Sequence, residues 1–365
     1  MASMRKVLSI RLFDIAKENM PEMMATKSMK YMKTLSHNIP TIHKSFITHP
    51  ITLSVILIFS MIIFLLLSIS ATTPVIAAAE HGQGKIAFVA NLEGNWDIFI
   101  HDLATHKTEK ITTTPYDEEN PAWSPDGRFL VYTASDGLLH MVNLESKEQT
   151  SLTFSNWEGK FVNPAWSPDG EKIAAAYFKS KKTDDTDLVL IDIKKKETRK
   201  KDISHKGVTF LLEQHSTQFF PSWSPDGAKI AYVTVHCSLE CGHIIQEVWL
   251  ANAVGHSAHQ LLLTNAMCMQ PVWAPDGQRI AFSADMKGNF DIWVYNLQSK
   301  ELKAVTDDRN LDIHPSWSPD GKKIAFISTR SGQMAVWISD LETGKLAKLV
   351  PFEQRDIECK DAAWH

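Results

Sequence analysis

The sequence predicts an all-β fold, a six-bladed β-propeller of four-stranded antiparallel blades. Three observations lead to it. The segment Trp-Ser-Pro-Asp-Gly occurs four times, with one Trp-Ala variant and one copy that stops after its Trp. Short apolar runs with turn residues between them follow each copy. Finally, the first repeat lacks its opening strand, and the chain ends with one extra copy of that strand. The six tryptophans are 43 to 57 residues apart: Trp123, Trp166, Trp223, Trp273, Trp317 and Trp364.

One complete repeat can be read from Pro315 to Pro351. It holds four short runs, here called strands A to D, and these predict one antiparallel sheet. In the A to B turn, Pro fixes φ, Asp bonds the neighbouring backbone and Gly accepts a positive φ. Because this turn chemistry explains the whole Pro-Asp-Gly motif, its repetition indicates scaffold and not a catalytic site.

Strands B and C show two further regularities. Strand B is mostly apolar on both faces, as in Ile324 to Ser328, so each sheet must be covered on both sides. An Asp or Asn closes strand C in all six repeats, which predicts an Asx-type start to the C to D hairpin. These residues are Asp102, Asn143, Asp192, Asn252, Asn296 and Asp340.

The two ends of the repeat region complete each other. The first repeat enters at strand B, with Gly84-Lys-Ile-Ala-Phe, and the chain stops in a strand A, Asp361-Ala-Ala-Trp364-His365. We therefore expect residues 84 to 365 to form a propeller in which the C-terminal strand lies innermost in the N-terminal blade. Such closure pairs an edge that would otherwise be exposed.

The pattern Pro-x-Trp-Ser-Pro-Asp-Gly-x-x-Ile-Ala-Phe resembles the propeller repeats of TolB and its relatives, a Pro-Asp-Gly type of WD-like repeat. The resemblance covers about three quarters of the chain. TolB-type propellers act as non-catalytic adaptors that offer the channel mouth to a partner lipoprotein. TolB also carries an α/β domain ahead of its propeller, for which the stretch between Ala79 and Gly84 has no room, so the resemblance implies only the propeller-mediated role.

The region before the propeller divides into two parts. Residues 1 to 50 carry eight Lys or Arg and three acids, and predict a cytoplasmic basic extension, unless translation starts at a later Met. Residues 51 to 79 carry no charge, and predict either a transmembrane signal-anchor through residues 51 to 70 or a signal peptide cleaved after Ala79. The basic side precedes the apolar run, so the propeller is expected outside the cytoplasm, in the periplasm.

Charge also limits the class of ligand. Subtracting the +5 of residues 1 to 50 from the total of −4 leaves −9 for the rest of the chain. An acidic propeller does not suit nucleic acid as a partner. We expect a monomeric propeller whose partners are envelope proteins.

Strand direction places the D to A connections and B to C loops on one rim, here called the variable face, opposite the repeated turns. Propellers usually bind at this mouth of the channel. Five aromatic residues there exceed the repeat pattern and suggest a protein-binding surface, although each could instead cap its own blade or fill the channel mouth. They are Trp157, Phe161, Phe210, Phe219 and Phe220.

A second set of candidates occupies one equivalent position in each repeat, just before the Pro or its counterpart. These side chains could form a polar ring around the axis that binds a ligand, an ion or a peptide end, or that merely holds water. They are Asn120, Asn163, Phe220, Gln270, His314 and Asp361.

Cysteines and catalytic motifs complete the list of candidates. Cys237 and Cys241 share one B to C loop, where a disulfide, a metal site with nearby His, or free thiols are all possible. Cys268 and Cys359 occupy equivalent positions two blades apart, which argues against a bond between them.

No Gly-x-Ser-x-Gly elbow occurs, and we expect no catalytic residues, metal or cofactor. The alternative function is a lactonase-like or lyase-like enzyme or receptor that takes a sugar or small molecule at the channel mouth.

Overall fold

The computed structural model describes residues 84–92, 94–152, 159–179, 186–193, 207–212, 216–237, 244–352 and 357–365. The basic extension 1–50 and the apolar segment 51–79 lie outside these ranges. Within the ranges, no helix has the length and apolar character needed to cross a membrane.

The described residues form six four-stranded antiparallel sheets, the blades, in the order of the chain. Blade 1 contains β1 (Lys85–Asn91), β2 (Trp96–Asp102) and β3 (Lys107–Lys110), and blade 2 contains β4 (Glu118–Trp123), β5 (Phe129–Ala134), β6 (Leu139–Asn143) and β7 (Gln149–Leu152). Blade 3 contains β8 (Lys160–Trp166), β9 (Lys172–Phe178), β10 (Thr186–Asp192) and β11 (Val208–Leu212), and blade 4 contains β12 (Thr217–Trp223), β13 (Lys229–Cys237), β14 (Ile244–Asn252) and β15 (His259–Gln260). Blade 5 contains β16 (Cys268–Trp273), β17 (Arg279–Ala284), β18 (Asp291–Asn296) and β19 (Leu302–Ala304), and blade 6 contains β20 (Asp312–Trp317), β21 (Lys323–Ser328), β22 (Ala335–Asp340) and β23 (Leu346–Lys348). The remaining strand is β24 (Cys359–Trp364).

The predicted closure of the ring is confirmed. Strand β24 pairs with β1, and blade 1 has the order β24-β1-β2-β3. Lys85 and His365 exchange both backbone hydrogen bonds, at 2.7 and 2.8 Å. A Cβ on Gly127 would meet the His365 ring at 2.7 Å, so the C-terminal residue is packed against the A to B turn of blade 2.

The A to B turns have the chemistry that the motif predicts. In blade 2, Ser124 Oγ donates to Asp126 Oδ1 at 2.7 Å and accepts from Phe129 N at 2.9 Å. The motif glycines at the five turns have φ between 66° and 70°, where a side chain would be strained. They are Gly127, Gly170, Gly227, Gly277 and Gly321.

The six strands C end at the predicted Asp or Asn residues. Asp102 Oδ1, for example, accepts from Ala104 N and Thr105 N at 3.0 and 2.8 Å, and Asn296 Oδ1 accepts from Gln298 N and Ser299 N at 2.9 and 2.8 Å. Each side-chain oxygen thus accepts hydrogen bonds from backbone N–H groups that have no backbone acceptor in the turn. The strand B core is buried, and Ile86 to Ala90 is fully covered.

The repeat tryptophans connect neighbouring blades. Trp123 Nε1 donates to the Ala363 carbonyl at 3.0 Å, and Trp317 Nε1 donates to the Val272 carbonyl at 3.1 Å. Both acceptors precede the repeat Trp of the adjacent blade, as does Ala165, which accepts from Trp223 Nε1 at 3.2 Å. These three tryptophans are therefore scaffold residues that hold neighbouring inner strands together.

Candidate binding site at the channel mouth

One residue from the inner strand of each blade lines a cavity of about 120 Å³ on the propeller axis. These are the six residues that the sequence placed before each Pro or its counterpart, here called the axial ring: Asn120, Asn163, Phe220, Gln270, His314 and Asp361. Prolines 121, 164, 221, 271 and 315, with Val272 and Ala362, complete the lining. Because every blade contributes, the site exists only in the closed propeller.

All six axial-ring residues adopt a left-handed backbone conformation. Their φ values lie between 51° and 55°, and none is glycine. Each sits at an irregularity in the pairing of its inner strand, such as the register shift between Glu119 and Ala122 in blade 2. A bulge of this kind re-aims a side chain, and here it turns each one toward the axis. For residues other than Gly, Asn and Asp, this conformation is an outlier.

A chain of hydrogen bonds connects five members of the axial ring. Asn163 Nδ2 donates to Asn120 Oδ1 at 3.1 Å, and Asn120 N donates to Asp361 Oδ2 at 2.9 Å. Asp361 Oδ1 lies 3.0 Å from His314 Nδ1, and His314 Nε2 lies 2.7 Å from Gln270 Nε2. The connection thus passes through blades 3, 2, 1, 6 and 5. Phe220 of blade 4 completes the circle without a polar group.

The contacts of Gln270 determine which nitrogen of His314 carries the proton. Gln270 Oε1 already accepts from His314 N at 3.0 Å and from Ser283 Oγ at 3.1 Å. The amide nitrogen must therefore face His314, and since it can only donate, His314 Nε2 must accept. The network assigns the proton to His314 Nδ1, which donates to Asp361.

Asp361 supplies the negative charge of the axial ring. Its burial opposes ionisation, but the hydrogen bond from His314 Nδ1, together with Lys360 and the Asn120 N–H, holds its pKa below the ordinary value. Asp361 is therefore ionised at neutral pH. Next to it, Lys360 Nζ contacts Glu119 Oε1 at 2.5 Å and lies 4.6 Å from the Trp96 ring centre.

The structure places two predicted aromatic candidates away from the surface. Phe161 is 1 % exposed and packs 4.8 Å from the Tyr177 ring, and Phe219 is 6 % exposed and packs 5.6 Å from the Phe178 ring. Both fill the space within and between blades, so the expectation that they form a protein-binding surface is wrong for these two. Phe220 does line the cavity. Trp157 lies outside the described residues.

Two of the four cysteines, Cys268 and Cys359, have side chains that the structure describes. Cys268 and Cys359 are free and buried, at the starts of β16 and β24 in blades 5 and 1. Burial raises the pKa of each thiol to about 12, so both are poor nucleophiles. The predicted disulfide between Cys237 and Cys241 lies outside the part of the chain whose side chains are described.

The axial ring holds only two of the usual metal-ligating types, His314 and Asp361. Over the described ranges, no group of three or more His, Cys, Asp or Glu side chains is arranged to hold a metal ion. Sequence reasoning found the ring positions but missed their conformation, and it missed the support of Gln270 by Ser283. The motif itself gave no signal for either feature, because a residue before Pro is ordinarily extended.

Comparison with known proteins agrees with this architecture. The family model described as PD40, the TolB beta propeller domain, matches residues 201–359. The chain carries a TolB-like β-propeller. This TolB-like propeller is similar to two curated relatives. One is an uncharacterised protein of Agrobacterium fabrum, 26 % identical over 215 residues, or 58 % of this chain and 65 % of the relative. The other is the Tol-Pal system protein TolB of Ruthia magnifica, 32 % identical over 99 residues, or 27 % of this chain and 22 % of the relative. The matches thus span less than two thirds of either relative.

Solved structures share the TolB-like fold. TolB from Acinetobacter baumannii superposes with a TM-score of 0.61 at 16 % identity, over 77 % of this chain and 66 % of the other. An oligogalacturonate lyase in complex with manganese superposes with a TM-score of 0.51 at 17 % identity, over 73 % of this chain and 74 % of the other. At this level of identity the likeness establishes the fold alone.

Proposed function

We propose that this chain is an exported, non-catalytic propeller of the cell envelope, located in the periplasm, which binds a partner protein at the mouth of its channel. The observation that carries the proposal is the axial ring. Six bulged inner strands direct one non-glycine side chain each at a common cavity. Such strained positions are maintained where the surrounding fold enforces them, and they concentrate at binding sites.

The size of the cavity supports a protein partner. A volume of about 120 Å³ is close to that of an engineered cavity of about 150 Å³ that accepts benzene. One side chain or one chain end of a partner fits such a space. The surface around the mouth would then supply the remaining contact area, as interfaces surround a central anchor with a wider rim.

Site-specific photo-crosslinking in intact cells tests this proposal. Tyr116 lies in a D to A connection on the variable face and is 40 % exposed, whereas Val254 lies in a C to D turn on the opposite rim and is 70 % exposed. A photoreactive residue at 116 should form a defined adduct with one envelope protein, and the same residue at 254 should not. The adduct should weaken when Asn163→Ala is added. Equal adducts from both positions would count against docking at the channel mouth.

The alternative is an enzyme or receptor that takes a sugar or small molecule in the channel. The paired His314 and Asp361 side chains favour it, because a His hydrogen-bonded to a carboxylate can hold a ligand or move a proton. Metal analysis of the purified protein separates the two functions. Stoichiometric calcium or zinc that is lost in His314→Ala would overturn the adaptor proposal.

A further inference from the structure

Phe220 is the exception within the axial ring. The other five side chains are polar and joined by hydrogen bonds across the axis. Phe220 stands between Asn163 of blade 3 and Gln270 of blade 5, where the chain of hydrogen bonds stops. Its ring is only partly buried, and it lies on the wall of the cavity.

The backbone of Phe220 has an unfavourable conformation for its side chain. At φ 53°, the backbone of a residue with a bulky side chain is strained. Asn tolerates this region, and Asn occupies the equivalent position in blades 2 and 3. Replacing Asn by Phe therefore adds strain and removes two possible hydrogen-bonding groups. A strained residue on the wall of the cavity points to a role in binding.

We propose that Phe220 is the seat for a single aliphatic side chain of a partner polypeptide, an inference that rests on the proposed docking function. A column of aromatic rings supports the seat, because Phe220 packs 6.1 Å from Phe219, and Phe219 packs 5.6 Å from Phe178. Pro221, Pro271 and Val272 add apolar surface on the same side of the cavity. Burying an aliphatic group against this surface removes it from water.

The flanking amides favour a polypeptide over a lipid chain. Asn163 Nδ2 and Gln270 Nε2 each use one hydrogen within the axial ring, at 3.1 and 2.7 Å. An amide nitrogen carries two hydrogens, so each retains one for a main-chain carbonyl on either side of the bound side chain. A fatty acid would bring a carboxylate next to ionised Asp361, and the neighbouring Lys360 is already paired with Glu119.

The test uses two blocked peptides of matched size, acetyl-Ala-Leu-Ala-amide and acetyl-Ala-Asn-Ala-amide, titrated into the full chain and followed by saturation-transfer NMR. The leucine peptide should bind at least about tenfold more tightly than the asparagine peptide, because only leucine buries apolar area against Phe220. Phe220→Asn should abolish this preference while leaving the denaturant midpoint unchanged or higher. Phe220→Leu, which keeps an apolar seat, should retain the preference.

Three results would contradict the proposed role of Phe220: equal binding of the two peptides, binding of neither, or a leucine preference that survives in Phe220→Asn. If Phe220→Asn fails to fold, the comparison of the two peptides on the natural chain still decides. The proposed function has a separate readout. An adduct from position 116 without a leucine preference would support docking but contradict the role of Phe220. A leucine preference without an adduct from position 116 would contradict docking at this face but not the role of Phe220.

Discussion

At the scale of single residues, one carboxyl group with a strongly raised pKa lies between blades 1 and 2. Glu118 at the start of β4 is fully buried, and it accepts hydrogen bonds from Thr112 Oγ1 and, at 2.6 Å, from Thr114 Oγ1. Burial raises its pKa to about 7, opposed by these two hydrogen bonds and assisted by the charge of Asp97. Asp97 itself contacts Lys110 Nζ at 2.8 Å.

Glu118 should make the stability of the propeller depend on pH. Its pKa is higher in the folded chain than in the unfolded chain, so its protonated form stabilises the fold below about pH 4.5. That contribution should decline as the pH rises toward about 7, by up to roughly 3 kcal/mol. In Glu118→Gln, which cannot ionise, the free energy of unfolding from urea titrations should fall less steeply over this pH range.

The control for this prediction is Glu145→Gln, at an exposed position after β6. It should leave the pH dependence unchanged, because an exposed carboxyl group is solvated in both states. Identical slopes for the natural chain and Glu118→Gln would contradict the assignment of a proton to Glu118.

At the scale of elements, the repeat tryptophans differ in how they contact the neighbouring blade. In blade 6, Trp317 donates to the Val272 carbonyl at 3.1 Å, and Arg279 stacks on its ring at 4.6 Å. In blade 5, Trp273 holds the same place in the repeat, but its Nε1 is buried with no hydrogen-bond partner in the described structure. The two positions therefore differ in the hydrogen bond between blades and in the Arg279 contact, which only Trp317 has.

Trp317→Phe should cost about 1 to 2 kcal/mol more than Trp273→Phe. The first substitution breaks a hydrogen bond between blades and weakens the Arg279 contact with the ring, whereas the second removes a buried N–H that had no partner in the described structure. The loss of apolar volume is the same in both, so it cancels in the comparison. Denaturant unfolding of the two variants measures the difference, and equal costs would show that the bond between blades contributes little.

The elements also show which features a sequence can predict. The A to B turns and the Asx residues that close strand C were predictable because their chemistry is local, as at Gly127 and Asp102. The left-handed bulge at Asn120 was not, because a residue before Pro is expected to be extended. Phe161 and Phe219 were misplaced since composition cannot distinguish an aromatic residue at an interface from one packed between blades.

Paired acids between blades were another feature outside the reach of the repeat pattern. Asp291 at the start of β18 and Asp312 at the start of β20 are both buried, and burial raises the pKa of each, as it does for Glu118. Arg330 Nη2 contacts Asp312 at 2.7 Å and so offsets part of this cost. The pairs occur where strand C of one blade meets strand A of the next. Such a contact can be predicted only when the tertiary arrangement of the blades is known.

At the scale of the whole molecule, closure and the axial ring depend on the same strand. β24 completes blade 1, and its residue Asp361 also connects His314 of blade 6 with Asn120 of blade 2. The ring of hydrogen bonds would be interrupted at its centre without this strand. The six ring positions could be counted from sequence because the repeat is regular, but their connection needs the closed structure.

Removal of residues 361 to 365 should therefore destabilise the whole domain. The deletion removes Trp364, which is 8 % exposed, the paired backbone of His365 and Lys85, and the Asp361 link between blades. Loss of the Trp side chain alone is expected to cost about 3 to 5 kcal/mol. The free energy of unfolding should fall by at least this amount in urea.

Two point variants distinguish the contribution of ring closure to stability from the contribution of the axial ring to docking. Trp364→Ala should reproduce most of the destabilisation, whereas Asp361→Asn should cost less, because it keeps β24 in place and Asn tolerates the left-handed conformation. Asp361→Asn should nevertheless weaken crosslinking from position 116, since it removes the charge that orients His314. An unchanged unfolding curve after the deletion would mean that the terminal strand does not hold the propeller closed. Retained crosslinking in Asp361→Asn would mean that the ring charge plays no part in docking.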